Sequence, residues 1–171
     1  SFMTFPAMII QLFVKDIDTK ILSLIKPVYD ELSNAVTNIK IVVASYFEHS
    51  NEASKILVNT PIWALALDFI YGEKNIESLD FIKNSNKTLI AGVIDGRNIW
   101  KSDFKKKIDL LEKISKHINK DKLIISTTCS LLHVPFSLKY EDHLSKEIKS
   151  WLAFACEKLN ELSLVSKDFF D

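Results

Sequence analysis

Side chains capable of chemistry fall in four clusters along this sequence: Ser45-Tyr46-Phe47-Glu48-His49, then Asp68, then Asp95-Gly96-Arg97-Asn98 with Trp100, and finally Cys129-Ser130 with His133. Cys, His, Asp and Glu are the zinc-binding residue types, so convergence of the clusters would suggest a metal centre. A structural zinc takes a full tetrahedral set of protein groups, and a catalytic one takes such a set less the position left to water. His49 and His133 are the imidazoles available to complete a set. Cys129 and His133, spaced four apart, contain a nucleophile and a base, but no helical context supports a dyad there. Bland readings carry more weight at the remaining positions. Asp95 and Arg97 flanking Gly96 suit a buried turn closed by a carboxylate–guanidinium pair. Asn98 fits the same turn chemistry, Trp100 a packing anchor, and His133 a loop side chain with a structural hydrogen bond.

The elements that must position these clusters follow from hydrophobic periodicity. Apolar runs rich in β-branched residues occur at 39–47, 63–70, 88–94 and 123–126, spaced about 24, 25 and 35 residues start to start. Helical patterns lie between them, at 50–58, at 76–84 and from the cap Asp103 to about His117, where Leu110, Leu111 and Ile114 form an apolar face. A further helix is predicted from about Asp142, with Leu144, Ile148, Leu152, Ala155 and Leu159 on one face; Trp151, Leu152 and Phe154 read as core or domain-interface residues. Upstream, Asp16 or Asp18 can cap a helix ending near Asn38, with Ile21, Leu24, Ile25, Val28 and Leu32 on its apolar face. Pro27 lies inside it, and an interior proline costs roughly 3 kcal/mol, so a kink or break is expected.

This alternation is the pattern of βα units and a parallel sheet, whose carboxyl ends place all four clusters on one rim. Each cluster falls at a strand end. A complete (β/α)8 barrel needs about 250 residues, so four units make about half of one. The fold class is therefore α/β, either an incomplete TIM-type barrel or a small open sheet. The three glycines form no G-x-G-x-x-G phosphate loop.

Composition removes several function classes. Lys and Arg number 22 against 22 Asp and Glu, giving no net charge and no footprint for nucleic acid. The run Lys105-Lys106-Lys107 reads as solvated helix surface. The two cysteines, Cys129 and Cys156, form no paired zinc motif, and a reduced, cytoplasmic chain without membrane association is expected. No apolar run approaches the ~20 residues of a membrane helix, and no basic segment precedes the apolar start.

Two strings carry a resemblance. Cys129-Ser-Leu-Leu-His133-Val-Pro135, followed by Glu147-Ile-Lys-Ser-Trp151-Leu-Ala-Phe-Ala155, resembles the end of the amino-terminal barrel of the cobalamin-independent methionine synthase family. Leu89-Ile-Ala-Gly-Val-Ile-Asp-Gly-Arg-Asn-Ile-Trp100 resembles that family's A-G-V-(apolar)-D-G-R-N-I-W segment, at a compatible distance upstream. The resemblance covers about Asp18 to Phe169 and implies a single partial domain, 1–171, forming the carboxyl-terminal half of the amino-terminal barrel. It implies an enzyme moving a methyl group from 5-methyltetrahydropteroyl-polyglutamate to homocysteine in methionine biosynthesis.

The family's zinc, by the same resemblance, sits in a second, similar barrel, held by an H-x-C pair, a Glu and a later Cys. Asp68 falls near the place of the Glu and Cys129 near that of the later Cys, while Val43-Ala-Ser-Tyr-Phe47 stands where H-x-C would be. Zinc, homocysteine and most of the folate site are thus expected elsewhere, and this segment is expected to form a scaffold against the catalytic barrel, inactive alone and prone to associate through open edges. Related zinc methyltransferase or decarboxylase barrels, and a non-enzymatic α/β binding module, remain the alternatives. Residues 1–14 match poorly. Ala7 to Val14 can be a strand, but Leu12 directly follows Gln11 where the family has an acidic-Pro segment, so residues are expected to be missing between them.

Overall fold

The computed structural model describes residues 3–5, 19–36 and 38–171. The proposed strand from Ala7 to Val14 and the Gln11–Leu12 junction lie outside the described residues, as does the cap at Asp16 or Asp18.

Five parallel strands form one sheet: β1 (Met3–Phe5), β2 (Ile41–Ser45), β3 (Ala64–Asp68), β4 (Thr88–Ile94) and β5 (Leu123–Thr127), neighbours in space in that same order. β2 to β5 are the four apolar runs of the sequence. The short β1, pairing Met3 with Ile41 and Phe5 with Val43, has no counterpart among them. The connections carry α1 (Thr19–Ala35), α2 (Asn51–Leu57), a 3₁₀ turn Glu73–Ser78 running into α3 (Leu79–Lys83), and α4 (Phe104–Ser115). After β5 the chain passes through two short 3₁₀ turns into α5 (Lys146–Trp151) and α6 (Ala155–Phe170).

The sheet rows explain where the core sits. Val43, Leu65, Leu89 and Leu123 stand in register across β2 to β5 and are all buried under the helices with Leu57, Leu79, Ile82, Leu111, Ile114 and Val165. One residue further on, side chains point to the opposite face. There Ala44, Ala66 and Ile90 are only half buried, and Ile124 is 40% exposed. One face of the sheet is thus less completely covered than the other, as in a barrel wall seen without the strands that would fill its interior. No helix among the described residues is long and apolar enough to cross a membrane.

Several expectations need correction. Of the kink or break expected at Pro27, the break is absent, since α1 runs through it as one helix. Of its proposed apolar face, Ile25 is buried and Leu32 half buried, whereas Ile21, Leu24 and Val28 are exposed. The helix proposed for 76–84 begins as a 3₁₀ turn. The long helix from Asp142 is two helices, because Leu152 is extended (φ −103°, ψ 152°) and its segment is tied to the loop after β4. Leu152 bridges Trp100, Ala153 N–H donates to Ile99 O at 2.8 Å, and Lys101 N–H to Trp151 O at 2.9 Å. These sheet-like bonds compete with the helical ladder and interrupt it. Beyond the break the inward stripe is Lys158, Glu161, Val165 and Phe169, leaving Leu159 exposed. At α4 the reading holds: Asp103 accepts from Lys106 N–H as its N-cap, and Leu111 and Ile114 are buried.

Candidate functional site

Asp68, the last residue of β3, has no exposed surface, and its carboxylate spans two loops. Oδ1 accepts the N–H groups of Ile70 (2.8 Å) and Tyr71 (2.9 Å), while Oδ2 accepts that of Phe47 (3.1 Å), after β2. Burial raises the Asp68 pKa, the three N–H donors lower it, and the nearby Asp95 raises it again; the balance lies above the ordinary carboxylate value. Phe47 has φ 81°, a left-handed backbone that costs a bulky residue strain and that the bond to Asp68 helps to hold. Asn75 ties the same loops together beneath, donating to Asp68 O and Glu48 O and accepting from Ser50 N–H.

Asp95, just after β4, closes its turn through backbone and amide groups. It accepts from Arg97 N–H (2.7 Å), Asn98 N–H (3.2 Å) and Asn98 Nδ2 (2.6 Å). The expected Asp95–Arg97 ion pair is therefore replaced by a main-chain bond. The Arg97 guanidinium instead lies over Phe47 (4.5 Å) and Tyr71 (5.0 Å), a cation–π arrangement on an exposed residue. Partial burial and the Asp95 carboxylate raise the Tyr71 phenol pKa. Gly96 is required where it stands: a Cβ there would lie 2.8 Å from Cys129 O and 3.0 Å from Cys129 Sγ. Its N–H donates to Thr128 Oγ1, joining the β4 and β5 ends.

Cys129 and His133 are not a dyad. The thiol is buried, contacts Ser130 O at 3.6 Å and has a raised pKa, chiefly through burial, which disfavours the nucleophilic thiolate. His133 turns its ring edge-on to Phe47, 5.6 Å between centroids. Trp100 is not the packing anchor expected: the residue is 57% exposed, and its backbone makes the bridge to Leu152. Trp151 is likewise 53% exposed, while Leu152 and Phe154 are buried.

Sequence reasoning missed a buried polar cluster below this loop. Lys158 of α6 is 0% exposed and donates from Nζ to Asn98 Oδ1 (3.3 Å) and Trp100 O (3.2 Å). Glu161, 4% exposed, accepts Ser102 N–H through Oε1, while Oε2 has no hydrogen-bond partner. Burial lowers the Lys158 pKa, opposed by Glu161 and Asp95. Lys107 is also lowered by burial, so the third lysine of the basic run is not simply solvated surface as Lys105 and Lys106 are.

With this geometry in place, relatives give it a context. The profile of the cobalamin-independent synthase amino-terminal domain matches residues 10–119. This chain belongs to the cobalamin-independent methionine synthase family. A 5-methyltetrahydropteroyltriglutamate–homocysteine methyltransferase from Desulforamulus reducens is 53% identical over 157 residues, which are 92% of this chain and 20% of that protein. Another from Oryza sativa subsp. japonica is 39% identical over 160 residues, 90% of this chain and 20% of its own length. This chain thus spans about a fifth of the length of such relatives. A B12-independent methionine synthase from Shewanella sp. W3-18-1, solved in complex with selenomethionine, shares the fold at a TM-score of 0.55 and 18% identity, over 82% of this chain and 44% of its own.

The zinc implied by that family does not fit the residues at this rim. Asp68 is occupied by three N–H donors, and among the described residues no three His, Cys, Asp or Glu side chains converge as ligands. What the rim can do is hold a guanidinium and a set of loops in fixed positions.

Proposed function

We propose that this chain is the second half of the amino-terminal barrel of a cytoplasmic methyltransferase that moves the methyl group of 5-methyltetrahydropteroyl-polyglutamate to homocysteine, forming methionine. The observation carrying this reading is the 53% identity over 92% of the chain to a methyltransferase of that name. The zinc, held by another barrel of the same enzyme, would present the homocysteine sulfur, and no step of the transfer is assigned to this rim.

The role of this segment is structural support for that second barrel. Trp100, Leu132, Phe136, Tyr140, Ile148 and Trp151 are large, exposed apolar side chains carried by the segments that follow β4 and β5. Phe136 and Tyr140 are stacked, 6.0 Å between centroids. Apolar groups gathered in this way favour a protein neighbour over water. The test is expression of the complete reading frame and assay of methionine formation from methyltetrahydropteroyl-triglutamate and homocysteine. Turnover by the complete product and none by this chain alone is expected. Turnover by the isolated chain, or a complete product without any, would refute the reading; an inactive product with a closed fold would favour a binding module.

A further inference from the structure

We infer that residues 139–151 form a flap beside the rim, one that opens as a unit about a neck held closed by Glu157. The neck is where the chain leaves the main body after β5 and returns to it at α6. Ala155 N–H donates to Pro135 O (2.9 Å) and Cys156 N–H to Phe136 O (3.0 Å), so the outgoing and returning segments run side by side. The Glu157 carboxylate, in the first turn of α6, joins them again. Its Oε1 accepts from the Ser137 hydroxyl (2.9 Å), and its Oε2 accepts the N–H groups of Leu138 (3.2 Å) and Phe154 (3.2 Å), one from each side. Ser137 on the way out, and Leu152, Ala153 and Phe154 on the way back, are buried, which fixes both hinges. Compact surface excursions whose ends meet in this way are Ω-loops, and they are frequently functional.

Beyond the neck the excursion is weakly tied. No residue from 139 to 151 is buried, and α5 contributes none to the core. Among the described residues its hydrogen bonds stay within 137–152, except that Lys101 N–H donates to Trp151 O (2.9 Å). Tyr140 stacks on Phe136, at the neck, and not on the sheet. Segments with few buried contacts and few bonds to their surroundings open locally at far lower cost than a sheet does. The bonds inside the flap, among them the Ser145 cap on Ile148 N–H, hold it together as it moves. Tyr140, Ile148 and Trp151 ride on it, so part of the apolar surface offered to the second barrel can shift without disturbing the strands. That consequence rests on the methyltransferase reading; the flap itself does not.

The test is amide hydrogen exchange and limited trypsin cleavage of the complete protein under native conditions. The Lys101 amide, which bonds to the flap, is expected to exchange at least a hundredfold faster than those of Ala155 and Cys156, which bond across the neck. Equal rates would overturn the flap. Trypsin should cut after Lys139, Lys146 or Lys149 at least tenfold faster than after Lys105 or Lys106 on α4, and cleavage at no greater pace would also count against it. Residues 101 and 151 are opposed across an antiparallel pair, a separation that a disulfide can span. Oxidation of a Lys101→Cys, Trp151→Cys variant should therefore slow cleavage of the flap at least tenfold, and reductant should restore it; the same rate in both states would refute the opening. Glu157→Gln should speed exchange at Ala155 and Cys156 at least tenfold and leave the β4 amides unmoved. Unchanged neck amides would remove Glu157 from its role. A complete protein without methyl transfer would refute the proposed function, and these rates would still decide the flap.

Discussion

At the scale of single residues, Asp68 and Arg97 show how a rim can be built from charges that do not pair with one another. The folded chain holds the Asp68 proton more tightly than the unfolded chain, whose value is near 3.8. Asp68 therefore favours folding most below that pH, and this share is lost as pH rises through the higher folded value. Asp68→Asn should remove that part of the pH dependence, which lies from 3.8 upward. It should also cost about 1–3 kcal/mol near neutrality, since an amide nitrogen cannot accept the Phe47 N–H. Urea unfolding across that range checks both, and an unaltered slope would sink the assignment. Arg97→Ala should cost only about 0.5–1 kcal/mol, the worth of an exposed cation–π contact. A loss above about 3 kcal/mol in the same measurement would instead indicate the buried ion pair suggested by the Asp95-Gly96-Arg97 spacing. That spacing made the turn legible, since Asx chemistry is local. The destination of the guanidinium was not legible, because Phe47 and Tyr71 reach it from the loops after β2 and β3, which only the folded sheet brings together.

At the scale of elements, α6 is where periodicity misled most. Leu152, Ala155 and Leu159 continue a helical spacing begun at Leu144, yet the backbone at 152–154 bonds to the loop after β4 and resets the inward face to Lys158, Glu161, Val165 and Phe169. A stripe containing a lysine and a glutamate does not register as apolar, so no hydrophobic count finds it. Strands β2 to β5, by contrast, were readable almost to their ends, because burial on a parallel sheet demands continuous apolar runs, while the three-residue β1 was not. The helix–loop tie yields its own test. Lys158→Ala should destabilise by about 3 kcal/mol, because it takes a donor from Trp100 O, removes one of the two donors to Asn98 Oδ1, and opens a cavity beside the buried Glu161. Hydrogen exchange at Lys101 and Ala153 should accelerate with it. A loss below about 1 kcal/mol would show the amine to be dispensable.

At the scale of the whole molecule, the two faces of the sheet are unequal. The row Ala44, Ala66, Ile90 and Ile124 is incompletely covered, and β5 pairs with β4 alone among the described strands. Unpaired edges and apolar surface promote association. The isolated chain is accordingly expected to self-associate in sedimentation experiments, and Ile124→Lys should shift it toward monomer. A stable monomer at tens of micromolar would overturn this expectation.

The order of the strands has a consequence for synthesis. Because β1 to β5 lie side by side in the sequence in which they are translated, each new strand finds its neighbour already in place, and none must wait for, or wedge between, strands made later. A nascent chain of this kind can grow its sheet from one end as it leaves the ribosome, one βα unit at a time. A pause or cut between units would leave the earlier registers intact and merely move the growing edge.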